Sequence, residues 1–128
     1  MNNERPSMAG DPAALESLEK QHHLIRDLTT GVAKDVVNDG IRVNCLAPGW
    51  IGTDGPRQYW ESLTPAQRVE RGVPSKLLST EDIAEIVVRL ATDSSLSGRV
   101  VVWWSEDSPR IIEWGDRGYR TFTEFHSS

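Results

Sequence analysis

The five residues Val100-Val101-Val102-Trp103-Trp104 are apolar without a break, and this run limits the possible folds more than any other feature of the chain. A strand with one wet face alternates apolar and polar side chains, whereas one that does not alternate is covered on both faces, the condition of strands in parallel sheets. Parallel neighbours cannot be joined by a tight hairpin and need a crossover, usually a helix. The preceding residues supply one. Ser79 stands before Glu81 and Asp82, acids that favour a helix start, and Ile83, Ile86, Val87 and Leu90 line one helical face as far as Thr92. Ser97-Gly98 then turns the chain into the apolar run.

The same alternation occurs once more upstream. Asp11-Pro12 is an N-cap and first-turn signature, and Leu15, Leu18, His22, Ile25, Thr29, Val32 and Val36 follow at steps of three and four. This helix should stop at Asn38-Asp39-Gly40, because glycine enters the left-handed cap without a Cβ clash. Ile41 to Ala47 is then a short, mostly apolar run with β-branched residues, read as a strand and closed by Pro48-Gly49. Helix, strand, helix, strand implies a right-handed crossover between parallel strands. The expected fold class is therefore α/β: a partial doubly wound, Rossmann-like sheet of two or three strands with two main helices. Residues 12–128 should form one domain behind a polar arm, 1–11. Within it, 50–76 reads as a long loop carrying a short helix at Thr64-Pro65-Ala66-Gln67, which has capping-box spacing with proline at the first helical position. Residues 105–128 form a C-terminal extension, in which Glu106-Asp107-Ser108-Pro109 is a turn and Arg110 to Trp114 returns antiparallel or packs as an extended tail.

Composition narrows the partners. The net charge of -5 is spread along the chain without the basic stripe that tracks phosphates, so nucleic acid is not expected. No apolar run approaches the roughly 20 residues that cross a bilayer, and no apolar stretch follows a basic start, so neither a membrane span nor a signal peptide is expected. The single cysteine, Cys45, excludes an internal disulfide and fits a reducing cytoplasm. His22 and His23 point about 100° apart on a helix and cannot share one ion, so no metal site is expected.

The run Gly40-Ile41-Arg42-Val43-Asn44-Cys45-Leu46-Ala47-Pro48-Gly49-Trp50-Ile51-Gly52-Thr53 closely resembles the short-chain dehydrogenase/reductase family, whose late strand ends in Asn-x-x-x-Pro-Gly-x-x-x-Thr. Asn44, Pro48, Gly49 and Thr53 fill those places. Ser79-Thr80-Glu81-Asp82-Ile83-Ala84-Glu85 resembles the start of the family's next helix, and Ser97-Gly98-Arg99-Val100 the turn into its last parallel strand. The resemblance spans 15–104 and implies the C-terminal half of a single-domain Rossmann fold. The family's Gly-x-x-x-Gly-x-Gly cofactor loop does not occur in these 128 residues; Gly49, Gly52 and Gly55 follow the late strand and read as turn glycines. Nor does its Tyr-x-x-x-Lys pair, in which the ammonium lowers the phenol pKa for proton transfer. Those two places fall near Leu18 and His22, a two-residue slip would bring only Lys20 close, and the first tyrosine is Tyr59.

What the resemblance leaves is a set of candidate binding residues and no catalytic ones. Pro48, Gly49, Ile51 and Thr53 resemble the groups that hold a nicotinamide carboxamide, the Ile51 amide and the Thr53 hydroxyl being the contacts. Pro48-Gly49 serves equally to turn the chain out of the sheet. Trp50, Tyr59, Trp60 and Leu63 fall in what would be the substrate loop, where they wall an apolar pocket or pack a subunit contact. Trp103, Trp104 and Trp114 read as core or interface anchors. Three functions fit: a truncated family relative without independent dehydrogenase activity, persisting as a homo-oligomer; a subunit of an NAD(P)-dependent oxidoreductase whose N-terminal Rossmann half is another chain; or a small-molecule binding protein or cofactor-free isomerase using the Trp50–Leu63 pocket. No cofactor is expected on the isolated chain, and NAD or NADP only where a partner completes it.

Overall fold

The computed structural model describes residues 12–104, 108–113 and 122–125, without the side chains of Leu15, Leu18 and His22 among others. The expectations for the arm 1–11 with the Asp11 cap, for Glu106-Asp107 and for Trp114 lie outside the described residues. Four helices and four strands follow in the order α1 (Pro12–Val36), β1 (Cys45–Pro48), α2 (Asp54–Glu61), α3 (Pro65–Glu70), α4 (Thr80–Thr92), β2 (Val100–Trp103), β3 (Arg110–Ile112) and β4 (Phe122–Glu124). Helix α1 ends in a 3-10 turn, Val37–Asp39, whose cap Gly40 sits at φ 73° and donates its N–H to the Val37 carbonyl. The chain takes there the left-handed conformation for which the sequence supplies glycine. Helix α4 starts where expected, its Ser79 side chain accepting from the Asp82 amide.

The sheet order is β1-β2-β3-β4. Strand β1 runs parallel to β2 with Cys45 opposite Val100 and Pro48 opposite Trp103. Strand β3 returns antiparallel to β2, and β4 antiparallel to β3. The architecture is thus the expected partial doubly wound sheet, extended by β4, which the sequence reading did not anticipate.

The unbroken apolar run of β2 behaves as its pattern requires. Val101 enters one core with Ile86 and Leu90 of α4, Leu96, Ile111 and Phe125, against which Leu46 and Trp103 pack. Val100 and Val102 point the other way, into a smaller cluster with Ile112, Cys45 and Ala47. Helix α1 lies on this second side, where its Thr29 stands beside the Cys45 thiol. One helix on each face is the doubly wound arrangement.

Three expectations need correction. Strand β1 occupies only Cys45–Pro48, not Ile41 to Ala47. Its partner begins at Val100, and ahead of that point the chain is tied by other bonds: Gly98 N to the Val43 carbonyl at 2.6 Å and Cys45 N to the Arg99 carbonyl at 2.9 Å. Second, the buried face of α1 is formed by Arg26, Thr29 and Ala33, while Ile25 is 49% exposed. The helix carries apolar residues on two sides, and the wetter stripe includes Leu24 and Leu28, 69% and 66% exposed. Third, Val87 of α4 is 51% exposed, leaving Ile86 and Leu90 to make the core contact.

Candidate functional site

In open α/β sheets, ligands bind beyond the carboxyl ends of parallel strands. In this chain that end is the segment after Pro48. Gly49 is tethered by its N–H to the Trp103 carbonyl at 2.6 Å, keeping the turn on the sheet for one residue beyond β1. Ile51 then forms an isolated parallel bridge with Leu78: Leu78 N donates to the Trp50 carbonyl at 2.8 Å and Gly52 N to the Leu78 carbonyl at 2.7 Å. In a parallel bridge the residue flanked by the bonded neighbours turns its own N–H and C=O to the opposite side. The Ile51 carbonyl accepts from Thr53 N at 2.8 Å, and the Ile51 N–H faces away from Leu78.

Thr53 is the N-cap of α2, yet its side chain makes no capping bond and is exposed. The hydroxyl is therefore not consumed by the helix it starts. Between these two donors Gly52 is crowded: a Cβ there would meet Arg57 Nη2 at 3.1 Å and the Leu78 carbonyl at 3.4 Å. Arg57 Nη2 donates to the Gly52 carbonyl at 2.7 Å, which fixes the hairpin from bridge to helix.

Segment 50–76 contains two helices where the sequence reading placed one. Helix α3 has the anticipated capping box, Thr64 and Gln67 each bonding the other's backbone. Helix α2 is additional, and it divides the aromatic residues. The Tyr59 ring lies 6.1 Å from that of Trp50 at an interplanar angle of 30°, and Tyr59 is 41% exposed. Trp60, next in the helix, turns inward: its Nε1 donates to the Pro74 carbonyl at 2.8 Å, and the Arg68 guanidinium lies 3.5 Å from its ring centroid. Leu63 is buried. The structure thus brings Trp50 and Tyr59 together near Ile51 and Thr53, sets Trp60 against Arg68 of α3 and Pro74, and buries Leu63.

Two polar roles were not read from the sequence. Arg71, the C-cap of α3, donates from Nη1 to the Tyr59 hydroxyl at 3.2 Å. Its only sequence signal was its place beside Gly72, where the helix had to end. Asn44 is a clip: its Nδ2 donates to the Leu96 carbonyl at 3.0 Å, and its Oδ1 accepts from Arg99 N at 3.1 Å, holding the entry of β1 to that of β2. Burial pushes the Cys45 thiol pKa up, against the opposing effect of the Thr29 side chain beside it. Among the described residues no three His, Cys, Asp or Glu side chains converge on one point, and no helix is long and apolar enough to cross a membrane.

A partial doubly wound sheet whose first parallel strand leaves through a Pro-Gly turn, with a backbone amide and a hydroxyl beyond it, defines a partial Rossmann-like chain. Residues 16–102 match the family model described as enoyl-(acyl carrier protein) reductase. Similar curated proteins include the short-chain dehydrogenase fogB of Aspergillus ruber (strain CBS 135680), 35% identical over 83 residues, 57% of this chain and 28% of that protein. The dehydrogenase/reductase SDR family member 6 of Xenopus laevis is 33% identical over 73 residues, 53% of this chain and 30% of its own. The uncharacterized oxidoreductase YgfF of Escherichia coli (strain K12) is 31% identical over 90 residues, covering 70% of this chain and 36% of its own. No solved structure matches. The chain belongs to the short-chain dehydrogenase/reductase family. It spans about a third of the length of the curated relatives it matches.

Proposed function

We infer that these 128 residues are the substrate-side part of a short-chain dehydrogenase/reductase and do not act as a dehydrogenase by themselves. The observation that carries this reading is the position of β1: among the described strands it pairs with β2 alone, and the Ile51 N–H and Thr53 hydroxyl stand beyond it. These groups fit the carboxamide end of a nicotinamide cofactor, one donor from backbone and one group that both donates and accepts. They do not fit its pyrophosphate, which needs glycine-spaced amides at a helix start after a strand. NAD or NADP would supply the hydride chemistry only where residues beyond these 128, or a partner chain, bring those amides, together with the tyrosine and lysine that the places of Leu18 and His22 do not provide. The residues here would then orient one end of the cofactor and wall the substrate. The free Cys45 thiol suits a reducing, cytoplasmic setting.

The same open edge supports self-association. An edge of unpaired amides promotes pairing with another chain, and the exposed stripe of α1 adds apolar area. We expect a homo-oligomer unless a chain bearing an N-terminal Rossmann half takes that place.

Titration of the purified chain with NADH, followed by nicotinamide fluorescence and calorimetry, tests the cofactor reading. The expected result is no stoichiometric micromolar binding and no hydride transfer to carbonyl substrates. Tight binding, or turnover that survives further purification, would overturn it. The Trp50–Tyr59 pair favours a second reading, in which small molecules bind without cofactor.

A further inference from the structure

Beyond the carboxyl end of β1 the carbonyls of four consecutive residues are taken up within the chain. That of Trp50 accepts from Leu78 N at 2.8 Å, that of Ile51 from Thr53 N at 2.8 Å, that of Gly52 from Arg57 Nη2 at 2.7 Å and that of Thr53 from Arg57 N at 2.9 Å. The Gly52 and Thr53 amides are engaged as well, donating to the Leu78 and Ile51 carbonyls. Residues 51–53 therefore leave to a ligand the Ile51 N–H and the Thr53 hydroxyl. The turn between these two groups sets how they are spaced. It is closed by a bond between residues two apart, the smallest kind of turn, and so depends on the bonds around it. Two of those come from one residue. Arg57, in the first turn of α2, holds the Thr53 carbonyl with its main chain and the Gly52 carbonyl with its guanidinium. The second bond alone, among those on residues 51–53, is made by a side chain. It also requires glycine beneath it. A Cβ at position 52 would stand 3.1 Å from Arg57 Nη2, against 3.4 Å from the Leu78 carbonyl and 3.6 Å from Leu77 Cβ, so a side chain there competes first with the Arg57 contact.

We propose that Arg57 is a positioning residue for a planar carboxamide. By holding the Gly52 turn it offers the Ile51 N–H and the Thr53 hydroxyl together, the first to the carboxamide oxygen and the second to the carboxamide N–H. Groups held ready in this way need less ordering when the ligand arrives, which is where the gain in affinity comes from. Arg57 acts through the turn and not by touching the ligand. The inference rests on the reading that Ile51 and Thr53 take the nicotinamide end of a cofactor, and it adds the residue that keeps them in register.

The test uses the full chain, labelled with 15N, and nicotinamide alone as the probe. Nicotinamide is expected to shift the Ile51 and Thr53 amides and to saturate at a concentration on the order of millimolar, the range of a small fragment. Arg57→Gln should weaken that binding about tenfold, the worth of one charge-assisted hydrogen bond. Arg57→Lys keeps a charged donor without the fork and should recover part of it. Gly52→Ala should weaken the probe as Arg57→Gln does, and should add little in the Arg57→Gln chain, because both substitutions remove the same bond. Amide exchange should quicken at Thr53 in Arg57→Gln and stay as it was at Leu78, a local change that a general loss of stability would not give. A dispersed spectrum reports that each variant is folded, and if Arg57→Gln lacks one, Arg57→Lys and Gly52→Ala decide. An Arg57→Gln chain that binds nicotinamide like the unsubstituted chain, or effects of the two substitutions that add in full, would overturn the proposal and leave the cofactor reading standing. No shift at Ile51 in the unsubstituted chain would defeat both.

Discussion

Arg42 shows how much one side chain arranges. From the segment before β1 its guanidinium donates to the carbonyls of Leu90, Asp93 and Leu96 through Nη1, at 2.8, 2.8 and 3.1 Å, and to that of Ala91 through Nη2, at 2.5 Å. These are carbonyls of the last turn of α4 and the loop beyond it, which the helix cannot satisfy and whose partial negative charge attracts a cation. Arg42→Met keeps the apolar stem and removes the donors. It should lower stability by about 2 kcal/mol, the usual worth of charged hydrogen bonds at a half-exposed site, and Arg42→Lys should restore only part. Urea denaturation midpoints would measure both, and an unchanged midpoint for Arg42→Met would mean that water serves those carbonyls equally well. Cys45 gives a second residue-level expectation. Its thiol pKa is raised in the folded chain by burial, so the neutral form is favoured there. The associated stability is fully present below the ordinary thiol value of about 8.5 and is lost as pH rises through the folded value. Iodoacetamide at pH 8 should accordingly modify the native chain at least about tenfold more slowly than the urea-unfolded chain, because the thiolate is the reactive form. Equal rates would show the thiol to be open to solvent.

Among the elements, α3 is the one whose start is written most plainly. Thr64 Oγ1 accepts from Gln67 N at 3.2 Å, and Gln67 Oε1 from Thr64 N at 2.9 Å. Thr64→Ala should cost about 1 kcal/mol and speed amide exchange at Gln67; exchange unchanged from the wild type would show the box to be idle. The major helices and the parallel pair were legible for the same kind of reason: Ser79 and Gly40 mark ends by local bonding, and Val100 to Val102 declare their burial by failing to alternate. Helix α2 was not legible, because Gly55 and Pro56 read as loop punctuation. They lie in the first turn, where the amide that proline lacks would have had no intrahelical partner. The limits of β1 were hidden because its start is set by a partner fifty-five residues later, Val100 opposite Cys45, and no local pattern can state that. At the site, Ile51, Thr53, Trp50 and Tyr59 could be named from motif and composition. Arg71 could not, since its meeting with Tyr59 depends on the angle between two short helices.

At the scale of the whole molecule, the apolar stripe of α1 and the outer edge of β1 are the surfaces among the described residues on which the proposed second chain would dock. Leu24, Ile25 and Leu28 are half to two-thirds exposed, beyond what scattered surface residues explain. Sedimentation equilibrium at low micromolar concentration should find a dimer or larger species, with contacts that include Leu24, Ile25 and Leu28 or the outer edge of β1, Cys45 to Pro48. Ile25→Lys should shift the mass toward monomer. A cooperatively melting monomer in the unsubstituted chain would show that its own core suffices, and an unchanged mass for Ile25→Lys would move the interface to the strand edge.

The strands also join in chain order, β1-β2-β3-β4, each beside its predecessor. Among the described strands β1 has only β2 beside it, so whatever pairs with its other side displaces none of them. Such docking is a second-order encounter between preformed surfaces, with a rate set by the concentrations of the two chains, and it requires no ladder bond of this sheet to open first.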